Sequence, residues 1–188
     1  MKGRTQAIAL RSIYQLKVTL GYIRPPIWRR FLIASTDSLA DLHLVVQIVM
    51  GWTDSHLHEF TKGKERYGVP DKDFPADIHD ESKFRINQIL KQEKDKMRYT
   101  YDFGDSWDHE IVLEKILPFE VETKLPTCLK GSRACPPEDV GGSPGYEMFL
   151  EALADPNHPE HEGILEWFGE SFDAEHFDLT EVNYLLHN

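Results

Sequence analysis

The chain contains no lysine or arginine beyond Arg133, although thirteen aspartates and glutamates fall in the 55 residues that follow. Residues 1 to 133 carry twenty-one basic and nineteen acidic side chains, so the net charge of -11 is a property of the C-terminal segment alone. That imbalance argues against a general binder of nucleic acid or anionic membrane, which needs Lys and Arg gathered on one surface. A local basic patch built on Arg24, Arg29 and Arg30 remains open, as does an acidic C-terminal face that meets a basic partner. Cysteine is nearly absent. Cys128 and Cys135 are the whole complement, and the opening MKGRTQAIAL has no secretory pattern. A cytoplasmic setting is therefore expected, with the two thiols as buried small hydrophobes and not a structural disulfide. No apolar run approaches the roughly 18 residues of a membrane span. Internal repeats and low-complexity linkers are also missing. With 40% hydrophobic and 28% charged residues, the composition is that of a folded protein, long enough for one substantial core or two small ones, and a single domain over 1-188 is the expectation.

Several elements can be read directly. Tyr14, Leu16, Val18 and Leu20 alternate with polar neighbours and predict a half-buried strand over 13-21. Pro25 and Pro26 place a turn before a second strand, Trp28 to Ala34. Ser38 and Asp41 form a capping box ahead of Leu39, Leu42, Val45, Val46, Val49 and Met50 at helical spacing, and Gly51 supplies the stop. A strand to Thr61, a turn at 62-64 and a return through Tyr67 follow; 69-82 reads as loop and 83-91 as an ambiguous, weakly helical stretch. Tyr99, Tyr101 and Phe103 alternate before Gly104-Asp105-Ser106, and Trp107, His109, Ile111 and Leu113 alternate after it, which predicts a hairpin with a three-residue loop. The region 126-143 holds a Gly/Pro-rich ordered loop. Ser143 is the expected cap of a first C-terminal helix; a second runs from about Pro159 to Gly169, and a third starts at Asp178. Strands plus one helix first, helices last, predict an α+β fold: a mixed or mainly antiparallel sheet over 10-125, with the acidic helical part 144-188 packed on it or set beside it.

Four blocks carry polar residues among aromatics: RPPIWRRF, LADLHLVVQIVMGWTDSHLHEF, YTYDFGDSWDHEIVLEKI and CLKGSRACPPEDVGG. His56 and His58 are two apart, so in a strand they share a face, as a ligand pair can, and His109 is the third imidazole of that metal reading. Asp102 and Asp108 fall on the opposite parity from Tyr101 and His109, which leaves Asp105 as the carboxylate beside them. A second reading is a groove between a sheet edge near Trp107 and the Cys135 to Gly142 loop. It would be lined by Trp52 or Trp107, with Asp105 and His58 at its rim and Glu138 and Asp139 on the loop. Arg24 and Arg29 would contact a carboxylate or phosphate there, or else pair with the acidic half.

Those four blocks, in that order, resemble one family over nearly the whole chain, from about Tyr14 to Leu186: the root-inducing plasmid ORF-three-like proteins, often labelled transposon passenger or TnpR resolvase proteins. Trp52, His56, His58, Tyr101, Asp102, Asp105, Trp107, His109, Glu138, Asp139, Gly141 and Gly142 stand among its signature positions here. The resemblance implies a single α+β domain and carries no catalytic residue across. Ser12, Ser35, Ser55 and Ser106 lack the basic surroundings of a recombinase serine, and no helix-turn-helix is visible. Asp102-Phe103-Gly104 matches a kinase triplet without the partner motifs that chemistry needs. The favoured expectation is a binding or accessory module for a small polar ligand or protein, with no cofactor and an open oligomeric state. The alternatives are a divalent-metal hydrolase-like site on His56, His58, Asp105 and His109, with a histidine or aspartate as general base, and a mobile-element accessory protein touching nucleic acid through its arginines.

Overall fold

The computed structural model describes residues 12-71, 77-169 and 172-188. Its centre is β1 (Ser12–Leu20), paired on one side with β2 (Trp28–Ala34) and on the other with β7 (Trp107–Pro118), both antiparallel. Leu16, Val18 and Leu20 are at most 2% exposed, whereas Lys17 and Thr19 on the opposite face stay half-exposed. The predicted alternation is thus a real division between a packed face and a wet one. The remaining strands are β3 (His58–Lys62), β4 (Glu65–Gly68), the two-residue β5 (His79–Asp80), β6 (Lys96–Tyr101) and β8 (Thr127–Ser132). They complete one eight-stranded sheet in the order β5-β4-β3-β6-β7-β1-β2-β8, antiparallel except for β4 with β5.

Helix α1 (Leu39–Met50) joins the packed face. Ser38 Oγ accepts from the Asp41 amide at 3.0 Å, and the Asp41 carboxylate accepts from the Ser38 amide at 2.8 Å, so the capping box forms as its sequence implies. Gly51, at φ 94°, ends the helix by donating to the Gln47 carbonyl. The ambiguous 83-91 stretch resolves into the single-turn helix α2 (Ile86–Ile89), and the end of 69-82, expected as loop, holds β5 and the start of a 3-10 turn, Glu81–Lys83.

The C-terminal helices cover the sheet. Tyr146, Phe149 and Ala152 of α3 (Gly142–Ala154) are buried in the common core, and α4 (His161–Phe168) lays Trp167 and Phe168 edge-on against Phe149. Helix α5 (Leu179–Leu186) packs on β8. Asp178 caps α5 by accepting from the Thr180 and Glu181 amides, as anticipated.

Three local expectations are corrected. The helix after the Gly/Pro loop starts at Gly142 with Gly141 as its N-cap, so Ser143 lies inside it. The first part of that loop is β8, where Phe31 pairs with Cys128 and Trp28 with Ser132; glycine and lysine in an edge strand hid the pattern. The hairpin loop spans the five residues 102-106, because Asp102 takes φ 54° and leaves the ladder after Tyr101 pairs with Trp107. Phe103 is therefore 52% exposed and does not point inward with Tyr101.

Candidate functional site

Three segments meet at one end of β3, β6 and β7: the 51-57 loop after α1, the 102-106 loop, and the 136-142 loop before α3. An aromatic floor holds them. Trp52, 7% exposed, stacks on Tyr101 at 4.8 Å between ring centroids and donates its indole N–H to the Pro136 carbonyl at 3.1 Å. Trp107 is 2% exposed beneath it. Neither tryptophan lines an open groove, and β7 is an interior strand. The 102-106 and 136-142 loops touch directly: the Asp105 carboxylate accepts from the Gly141 amide at 3.0 Å. A Cβ on Gly142, itself at φ 68°, would lie 2.6 Å from the Asp105 carbonyl oxygen, so only glycine fits that approach.

Above the floor stands a histidine among carboxylates. His56 Nε2 lies 3.2 Å from Asp139 Oδ1 and 3.8 Å from both Asp102 Oδ2 and Glu138 Oε2. This nitrogen is shielded from solvent yet has no hydrogen-bond partner. The ligand atoms of His56, Asp102 and Asp139 all lie within 4.8 Å of one another. Each carboxylate is held differently. Asp102 Oδ1 accepts from the Gly104 amide at 2.9 Å, which aims Oδ2 at His56. Glu138 Oε1 accepts from the Thr53 amide at 3.0 Å and from the Tyr101 hydroxyl at 3.1 Å. That hydroxyl in turn accepts from the Ser55 amide. Burial, reinforced by the Glu138 charge, pushes the Tyr101 phenol up to about 12, so it donates as a neutral group. Asp139 is exposed, and like Asp54 and Asp102 it has φ near +55°, a backbone region that aspartate tolerates better than most side chains.

A second cluster adjoins it through Asp54 and His58, two residues to either side of His56. The His43 and His58 rings stack at 3.5 Å with 6° between planes. His43 Nε2 is 2.9 Å from Asp54 Oδ1, and His58 Nε2 is 2.9 Å from the buried Glu81 Oε2. Gln47 donates to the Tyr99 hydroxyl, which lies 2.8 Å from His43 Nδ1. If Tyr99 donates to Nδ1, Nε2 carries the proton toward Asp54, and the chain closes without an unpaired atom. Burial, then the His58 neighbour, lowers the His43 pKa.

The residues singled out from sequence therefore divide. His56, Glu138 and Asp139 come together, while Asp105 and Trp52 hold the loops that carry them. His56 precedes β3, so strand parity does not govern it, and it parts from His58 into a different cluster. His109 is 1% exposed, bonded through Nδ1 to the Tyr99 carbonyl at 3.2 Å, and burial lowers its pKa to about 4. It belongs to neither ligand group. Arg24 is exposed. Arg29 is 3% exposed and donates to the carbonyls of Val49, Trp28, Ser132 and Arg133 at 2.7 to 2.9 Å. Arg30 pairs with Glu114 at 2.6 Å. The acidic half meets Arg133 instead, through Glu175 at 2.7 Å. Burial raises both the Cys128 and Cys135 thiols, which disfavours the thiolate needed for metal binding.

His43, Asp54 and Glu81 are not among the sequence's candidates, and Asp102, one of its signature positions, is set aside there only by strand parity, which its positive φ breaks. His43 had a visible signal: a histidine on the apolar stripe of α1, one turn from Leu39 and from Gln47.

The fold and these contacts define an α+β sheet protein whose loop end gathers two histidine–carboxylate clusters. The chain belongs to the family described as Plasmid pRiA4b ORF-3-like protein, which it matches over residues 12–181. It is 40% identical over 174 residues to Uncharacterized protein y4hQ of Sinorhizobium fredii, covering 92% of this chain and 89% of that one. It is also similar to the crystal structure of MM3350, a protein of unknown function from Methanosarcina mazei Go1, with a TM-score of 0.82 and 38% identity over 92% of this chain and 98% of the other. No described helix is long and apolar enough to cross a membrane.

Proposed function

We propose that this chain is a binding module whose working centre is a divalent cation held by His56, Asp102 and Asp139, with Glu138 beside them. The observation that carries the reading is His56 Nε2: shielded, without a hydrogen bond, and 3.2 to 3.8 Å from three carboxylate oxygens. Ligand atoms about 2.0-2.2 Å from a common ion stand roughly 3-3.5 Å apart; His56 and Asp139, at 3.2 Å, have that spacing, and Asp102, at 3.8 Å from His56, would draw in slightly around an ion. One imidazole with several carboxylates suits a first-row ion such as Mn²⁺ or Zn²⁺ better than Ca²⁺, which prefers an all-oxygen shell. The exposed Asp139 leaves one side of the centre open to a ligand from solution. Hydrolysis by a cation-bound water is the second reading, favoured by that same open side.

The test is calorimetric titration of metal-stripped, tag-free protein with Mn²⁺ and Zn²⁺. One equivalent should bind, and His56→Ala or Asp102→Asn should weaken binding about 100-fold while the fold persists. No stoichiometric uptake, or uptake indifferent to both substitutions, would end the proposal. Turnover of a p-nitrophenyl ester or phosphate that needs the added metal and His56 would separate the hydrolytic reading from simple binding.

A further inference from the structure

A cleft of about 590 Å³ adjoins the proposed cation centre, sharing His56 with it. Its size falls within the few hundred to about 1,000 Å³ typical of small-molecule sites. The chemistry of its wall is divided. Leu44, Leu57, Val69 and Phe103 line it and are each more than 50% exposed, an unusual concentration of large apolar side chains in contact with water. Asp54, Glu59 and Glu81 bring carboxylates to the same space. Arg66 is the one arginine or lysine among the described lining residues, and Glu59 engages it at 2.6 Å. The Glu81 carboxylate is 5% exposed and rests on His58, while the Asp54 side chain is 49% exposed beside His43.

We infer that this cleft binds a small molecule carrying a primary ammonium group on an apolar chain. The ammonium would be held by the Asp54 carboxylate, with Glu81 adding to the negative field of the floor, and the chain would lie against Leu44, Leu57 and Phe103. A carboxylate or phosphate ligand is disfavoured, because the one guanidinium among the described lining residues is already paired and each added anion faces acidic groups. A neutral apolar ligand would cover the rim and take water from the half-exposed Asp54 carboxylate, which contacts His43 through Oδ1, without offering it a donor. Shape accommodates the ligand, and charge chooses among ligands of that shape.

The cleft shares His56 with the proposed cation centre, but the ammonium contact at Asp54 does not need the ion, so the experiment is run in EDTA, where failure of one leaves the other standing. Amide chemical shifts are followed as n-hexylammonium, hexan-1-ol and hexanoate are each added to the intact chain. Saturable binding of n-hexylammonium is expected, about tenfold tighter than the alcohol, with shifts at Leu57 and Phe103. Asp54→Asn, which keeps a residue tolerant of positive φ, should remove about that tenfold preference, and Phe103→Ser should weaken both the amine and the alcohol. Equal affinity for amine and alcohol, tighter binding of hexanoate, no saturable binding, or an unaltered preference in Asp54→Asn would each overturn the assignment. So would binding of a lysine-containing peptide where the free amine fails, since the occupant would then be a protein segment.

Discussion

Arg29 carries a full charge into a place where water does not follow. Its guanidinium donates to four main-chain carbonyls, on β2, at the end of α1 and around the exit of β8, and lies 4.5 Å over the Phe177 ring. A planar fork can reach carbonyls in several directions at once, whereas a lysine ammonium cannot. Arg29→Lys should therefore strand at least one buried carbonyl and destabilise the chain by about 2-3 kcal/mol, read from urea unfolding. A change of under about 0.5 kcal/mol would mean that the fork is dispensable. The sequence offers Arg29 as a contact for an anionic ligand or as a partner of the acidic half, and it is neither. Nothing in RPPIWRRF distinguishes Arg29, which faces the core, from Arg30, which faces Glu114 on the wet side; alternation states only that the two differ.

At the scale of elements, the edge of the sheet is closed by a side chain and not by another strand. Asn183 on α5 accepts from the Cys128 amide at 2.8 Å and donates to the Cys128 carbonyl at 2.9 Å, imitating a neighbouring strand. An open edge invites pairing with another chain. Asn183→Ala should cost about 1-3 kcal/mol and raise the tendency to associate at high concentration, measured by denaturation and by light scattering. Retained stability with unchanged light scattering would count against that role. The elements with strong local signals were legible beforehand: α1 with its capping box, the β1 alternation, the Asp178 cap. Strand β8 was not, since an edge strand rich in glycine and lysine takes its conformation from β2 and α5 and not from its own composition.

The whole molecule registers its buried imidazole as a dependence on pH. His109 is held neutral by burial, with a folded pKa of about 4 against an ordinary 6.5. Between those values the unfolded chain binds a proton that the folded chain refuses, so stability is complete above about pH 6.5 and declines as pH falls toward 4. From pH 7 to pH 5 the loss attributable to this group should be about 2 kcal/mol, and a His109→Gln variant should lack it. Parallel stability curves for the two proteins would show that His109 does not set the acid limb.

By itself the sequence determined the fold class, the polarity of the central strands, the main helix and its caps, and the charge asymmetry. Each depends on neighbours within a few residues or on composition. It also marked His56, on an expected strand, and Glu138 with Asp139, on one loop, without bringing the two together. Their convergence, the withdrawal of His109 and Arg29 into the interior, and the recruitment of Asp102, His43 and Glu81 were decided by tertiary structure. The reason is geometric. Positive φ at Asp54, Asp102 and Asp139 breaks the parity that sequence reasoning extrapolates, and distances between loops are set by the aromatic floor of Trp52, Tyr101 and Trp107 on which all three rest.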